Sequence, residues 1–161
     1  MSENIVYQDK VKSSPIVLAV LLLGVVIVVI VGLVMYFQQS LTIDSSALPT
    51  LLVVFVADLL ILLTFRQMQI VVTDKELRFG FYIFRKRINL KNIESVEIQD
   101  FKFTEYMGYG IRYSRNNTVG YVPCGGRGLK IKVKGETRNF FFICNRPEEA
   151  QTFIKQYGTQ K

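Results

Sequence analysis

Two groups of cations and one carboxylate are the side chains of this chain best placed to do chemistry. Lys130, Lys132 and Lys134 alternate along one predicted strand, so they project from a single face. Arg85, Lys86 and Arg87 follow one another in a second cluster. Cations set near a charged surface attract anionic lipid by about 1 kcal/mol each. The plainer reading of both groups is a solvated sheet face. From Arg66 onward there are 18 Lys and Arg against 9 Asp and Glu, an excess of nine positive charges. Asp58 is the one charge inside an otherwise apolar run, Leu48–Phe65. A carboxylate there costs a few kcal/mol, so it is expected to face protein, water or a partner. It reads as a polar contact across a helix pair or an oligomer interface, with a proton or ion relay as the other reading.

Catalytic chemistry is poorly provided for. The chain has no histidine, which removes the commonest general base and the commonest metal ligand. Cys124 and Cys144 do not form a disulfide framework and suit a reducing compartment. Arg127 near Cys124 would lower the thiol pKa in a reactive reading; plain packing is the other reading. The glycine-rich stretch Gly120–Gly128 is followed by Leu129-Lys130, without the Gly-Lys-Ser/Thr ending of a phosphate-binding loop, and reads as a turn into a hairpin. Nothing resembles a base-stacking or base-reading motif, so nucleic acid is not an expected partner. No catalytic residue, metal or cofactor is expected, and an enzyme is not.

The elements that position these residues fall into two kinds. Ile16–Phe37 is a run of 22 residues without a charge, Asn or Gln. As a helix it extends about 33 Å, enough to cross a hydrocarbon core of ~30 Å. The second run extends about 27 Å and reads as a second span with Arg66 and Gln67 snorkelling at its end. Lys10 and Lys12 precede the pair, and Arg66, Lys75, Arg78, Arg85 and Lys86 follow it. The linker between the runs has no cation. The positive-inside rule therefore predicts both termini in the cytoplasm. The expected division is a cytoplasmic tail over 1–14, a first transmembrane helix over 15–37, an extracytoplasmic loop over 38–47, a second helix over 48–66, and a cytoplasmic domain over 67–161.

Beyond Arg66 the periodicity changes from helical to alternating. Strands are predicted over Gln69–Thr73, Glu76–Phe81, Tyr82–Leu90, around Ile93–Ile98, at Ile111 and Tyr113, and over Val119–Val122. A hairpin, Gly128–Val133 with Thr137–Ile143, follows. Phe140-Phe141-Phe142 and Phe101-Lys102-Phe103 place aromatics on both sides of strands, one side requiring cover from the anchor, a partner or a second copy. Asn145, Pro147 and Glu148 read as a helix start, and Ala150, Phe153, Ile154 and Tyr157 as one apolar stripe ending at Gly158. About seven strands and a terminal helix predict a bent sheet or barrel with the helix closing one end.

That order resembles the bacterial pleckstrin-homology-like domains, many of which follow a pair of transmembrane helices. The likeness covers residues 67 to 158. It rests on Gly108-Tyr109-Gly110-Ile111-Arg112, similar to the Gly-aromatic-Gly-Ile-Arg stretch of such proteins, on Gly125-Gly126-Arg127-Gly128 before a strand, and on the helix start Asn145–Glu149. It implies the fold and carries no catalytic motif. The whole reads as an inner-membrane, non-enzymatic scaffold or adaptor whose basic domain meets anionic membrane lipid, a protein partner or another copy of itself. The alternative is a subunit of an oligomeric channel or transporter assembled around Asp58.

Overall fold

A computed structural model describes residues 4–37 and 47–158. Nearly all of the predicted extracytoplasmic loop lies outside these residues. The chain divides into two compact units, residues 15–66 and residues 1–14 with 67–161.

The helical unit consists of α1 (Pro15–Phe37) and α2 (Ala47–Phe65). Apart from Asp58 of α2, both are apolar on all sides, as helices bathed in lipid are. Over Pro15–Met35, α1 is long and apolar enough to cross a membrane. The apolar part of α2, Pro49–Phe65, falls short of that length. By length and composition, then, the described residues contain one full span, where two were expected.

The β unit holds two sheets, one of four strands and one of five. The first contains β1 (Ile5–Lys12), β2 (Gln67–Thr73), β3 (Glu76–Phe81) and β4 (Arg85–Asn89), in that order and antiparallel throughout. β1 was expected to be tail. Its residues alternate, with Tyr7, Asp9 and Val11 buried and Gln8, Lys10 and Lys12 exposed, which is the pattern of a half-buried strand. It runs beside β2 from Ile5 opposite Thr73 to Lys12 opposite Gln67. The helical unit is therefore an insertion between the two strands of a β-hairpin.

The second sheet contains β5 (Ile93–Asp100), β6 (Gly110–Ser114), β7 (Thr118–Val122), β8 (Arg127–Val133) and β9 (Asn139–Ile143), in the order β5-β8-β9-β7-β6. β9 inserts between β8 and β7 and runs parallel to β7. The sheets do not close into a barrel. The chain changes sheet at the single-turn helix Leu90–Asn92, where the Asn89 side chain accepts from Lys91 N at 3.0 Å and Leu90 is buried. The inner faces meet around Phe79, whose ring stacks on Phe142 at 4.5 Å and meets Tyr121 edge-on at 5.1 Å.

The other side of β9 is covered by the chain itself. A short helix, α3 (Phe103–Tyr106), lays the Tyr106 ring on Phe141 at 5.1 Å and beside Phe101 at 5.8 Å. Gly120 makes the room, since a Cβ there would come within 2.6 Å of the Tyr106 ring. The Tyr106 hydroxyl is buried with no hydrogen-bond partner, and burial pushes its pKa up. An unpaired buried polar group costs about 1–3 kcal/mol. Tyr106→Phe is therefore expected to raise the melting temperature of the full chain. Gly120→Ala is expected to lower stability by about 1–3 kcal/mol through overpacking. A fall in melting temperature for Tyr106→Phe would mean that the hydroxyl has a partner.

The terminal helix, α4 (Pro147–Gly158), buries Ala150 and Ile154. Phe153 is only half-buried, its ring 6.1 Å from Tyr7. Asn145 is not in the expected cap position, because α4 starts at Pro147 and it is Arg146 O that accepts the first helical bond, from Ala150 N at 3.1 Å. The Asn145 amide donates to Asp9 Oδ1 at 2.8 Å and to Lys10 O at 3.2 Å. Glu148 pairs instead with Arg127.

Candidate functional site

The outer face of the four-stranded sheet gathers cations from both ends of the sequence. Arg85 and Arg87 are exposed on β4, with Arg78 of β3 directly opposite Arg87. Lys10 and Lys12 point the same way from β1, Lys10 lying opposite Gln69 and Lys12 opposite Gln67. Gln69 in turn faces Gly80, and Gly80 faces Arg85, so a continuous row runs across all four strands. Arg85 Nη2 donates to Gln69 Oε1 at 3.0 Å, and its guanidinium lies 5.5 Å from the centre of the Tyr82 ring. Arg78 is paired with Glu76 at 2.8 Å. Lys10, Lys12, Arg85 and Arg87 have no carboxylate partner among the described residues.

Lys86 leaves this group. Successive residues of a strand face opposite ways, so it turns inward beside Ile88. Its ammonium pairs with Glu136 at 2.7 Å and sits 4.7 Å from the centre of the Phe140 ring. The run Arg85-Lys86-Arg87 is thus two outward cations and one neutralised one. Lys10 and Lys12, placed in a tail by the sequence reading, complete the surface. The alternation over Ile5–Lys12 is the signal that would have found them.

Lys130 and Lys132 share one face of β8, whereas Lys134, expected on the same strand, lies just past its end, where its backbone N donates to Asn92 O at 2.7 Å. Acidic residues of β5 share that face. Lys132 pairs with Glu94 at 2.8 Å, a hydrogen bond that raises the pKa of its ammonium, and Lys130 lies opposite Glu97. Ser95, Glu97, Lys130, Lys132 and Asn139 line a shallow cleft of about 200 Å³ there. The local field is mixed, and surface pairs of this kind contribute little.

Asp58 sits within the helical unit in the seam between the helices. A Cβ added to Gly24 of α1 would lie 3.8 Å from Asp58 Oδ2. The glycine offers no side-chain donor, and Asp58 has no hydrogen-bond partner among the described residues.

The cysteines are free. Burial raises the Cys124 thiol, the opposite of the activation that Arg127 would have supplied, and Cys144 is pushed up to about 12, chiefly by burial. A thiol held protonated is a poor nucleophile. Among the described residues no group of three or more Cys, Asp or Glu side chains is arranged to hold a metal ion. Comparison with protein-family models, with curated proteins and with solved structures finds no match to this chain.

Proposed function

We propose that this chain is a membrane-anchored, non-enzymatic adaptor whose basic β unit works at the anionic face of the bilayer. The observation that carries the reading is the pairing of β1 with β2 around the helical unit. Two neighbouring strands of one sheet lie on the same side of a membrane. A chain that leaves the sheet after Lys12 by crossing in α1 must therefore cross back in α2 before it rejoins at Gln67. The 19 residues of α2 extend about 28 Å, and slight bilayer thinning or snorkelling of Arg66 makes up the difference. The same pairing argues against α1 as a cleaved leader, since cleavage would take a strand out of the sheet. Cations on both flanks support a β unit in the cytoplasm of a bacterial cell, by the positive-inside rule. The likeness to pleckstrin-homology-like domains is compatible with a non-catalytic module at a membrane and names no ligand.

The outer face of the four-stranded sheet supports anionic lipid as the partner better than the β8 lysines do, because its four unpaired cations are not offset by neighbouring carboxylates. A second reading, assembly of several copies, is favoured by Asp58 alone: a neighbouring copy would supply the hydrogen bond that Gly24 cannot.

Native mass spectrometry of the detergent-purified full chain tests both. Anionic phospholipid is expected to be retained. Joint substitution of Lys10, Lys12, Arg85 and Arg87 by Gln is expected to strip most of it, at about 1 kcal/mol per residue. Retention that ignores the four substitutions would remove this face as the lipid site. The same spectra report subunit number, which Asp58→Leu should lower if copies assemble through that carboxylate.

A further inference from the structure

The turn joining β3 to β4 presents three consecutive large apolar residues to solvent. Tyr82 is 71%, Ile83 64% and Phe84 51% exposed. Single exposed apolar residues are ordinary, but three in a row at the tip of a hairpin are a liability in water unless something covers them. Periodicity alone predicts a strand through Tyr82–Phe84; the structure ends β3 at Phe81 and starts β4 at Arg85.

The register shows where this tip lies. Phe81 is opposite Met68, and Met68 is the second residue of β2. Lys12, the last residue of β1, is opposite Gln67. The tip therefore projects from the end of the sheet at which the chain departs for α1 and returns from α2. Only Ser13 and Ser14 separate β1 from Pro15, and only Arg66 separates Phe65 from β2. Each link thus takes three residue steps or fewer, at no more than about 3.6 Å per residue when fully extended.

We propose that Tyr82-Ile83-Phe84 is a shallow lipid-inserting tip, with Lys12, Arg85 and Arg87 behind it meeting lipid phosphates. The proposal rests on the reading that the helical unit crosses the bilayer, and it adds a second membrane contact made by the β unit itself. Aromatic and aliphatic side chains at an interface bury about 5–10 Å into the headgroup region, and basic residues flanking them are drawn to anionic lipid. Tyr82 suits the polar boundary, as Tyr does at membrane interfaces generally. Gly80 keeps the hairpin end compact. Its φ is +137°, and a Cβ there would come within 2.1 Å of Phe84 O. A stiff end aims the tip without the entropy of ordering a floppy loop.

The chain has no tryptophan, so an introduced one reports alone. The full chain carrying Ile83→Trp is reconstituted into phosphatidylcholine vesicles, with and without phosphatidylglycerol, containing a lipid brominated near the headgroup end of its acyl chain. Lys75→Trp, at the opposite end of the same sheet about 20 Å along β2, is the reference. Flotation with the vesicles at high salt reports anchoring separately. Emission from the Ile83→Trp chain is expected to be blue-shifted and quenched several-fold more than that of the reference. Adding Arg85→Gln and Arg87→Gln should abolish the extra quenching that phosphatidylglycerol brings. Emission and quenching equal to the reference, in protein that still floats, would overturn the tip and leave the anchor standing. Blue-shifted emission without lipid quenching would also overturn it, placing protein over the turn. Protein that does not float overturns the anchor and the tip together.

Discussion

A fragment running from Arg66 to Lys161 is expected to fail as an independent domain, although it contains every element that the alternation after the apolar runs predicts. It lacks β1. Tyr7 is 4% and Val11 2% exposed, so removing them strips two core side chains. Loss of a buried aromatic alone costs about 3–5 kcal/mol. Asp9 goes with them, and Asp9 accepts from Asn145 N at 2.7 Å and from the Asn145 amide at 2.8 Å at the approach to α4. The edge of β2 would then be bare, a template for aggregation. Against a total stability of about 5–15 kcal/mol for a domain, the sum of these losses is most of what there is. The remedy follows from the same register. Lys12 and Gln67 are paired neighbours, so their Cα atoms lie about 5 Å apart and an Asn-Gly turn can join them in place of both helices. The chain 1–12, Asn-Gly, 67–161 is expected to be soluble and to unfold cooperatively, by circular dichroism and denaturant titration. Equal midpoints for this closed chain and for the Arg66–Lys161 fragment would show that β1 contributes nothing.

Labelling of introduced cysteines should give an all-or-none pattern. In a background with Cys124→Ser and Cys144→Ala, a cysteine replacing Ser45 is expected to react with an impermeant thiol reagent added outside intact cells. Ser45 lies outside the described residues and is chosen from the predicted loop alone. Cysteines replacing Ser2 and Lys161 are expected to react only after permeabilisation. The two ends must behave alike, because β1 and α4 belong to one folded unit, joined through Asp9 and Asn145. Opposite behaviour at Ser2 and Lys161 would contradict the pairing of β1 with β2. Protection of Ser45 with exposure of both termini would instead reverse the orientation drawn from the flanking cations and leave the two crossings in place.

Sequence by itself determined the periodicities, because they are local. Residues 16–37 have no polar side to show water, and that alone makes α1 a membrane candidate. Alternation located β2, β3, β5 and β7–β9 closely, and the stripe Ala150, Phe153, Ile154 and Tyr157 marked α4, of which Ala150 and Ile154 are buried and Phe153 and Tyr157 only partly so. Net charge pointed to an anionic partner. What the sequence could not decide was pairing, which depends on contacts between residues far apart in the chain. A strand of eight residues before the first apolar run has no local sign of belonging to a sheet that resumes only at Gln67, beyond both helices. Its own alternation was legible, but its partner was not. The same limit hid the insertion of β9 between β8 and β7, the separation of β4 and β5 into two sheets, and the use of α3 to cover Phe141.

The candidate surface divides in the same way. Lys130 and Lys132 share a face because spacing along one strand dictates it, and spacing likewise turns Lys86 away from Arg85 and Arg87, while Lys134 falls past the end of its strand. Which cations remain uncompensated is a tertiary matter. Glu94 and Glu97 arrive beside the β8 lysines through the register of β5, whereas Lys10 and Lys12 join Arg85 and Arg87 only because β1, β2, β3 and β4 lie side by side. Charge count is additive along a chain, but electrostatic potential falls off with distance in space, so only the assembled sheets decide where the excess of positive charge acts.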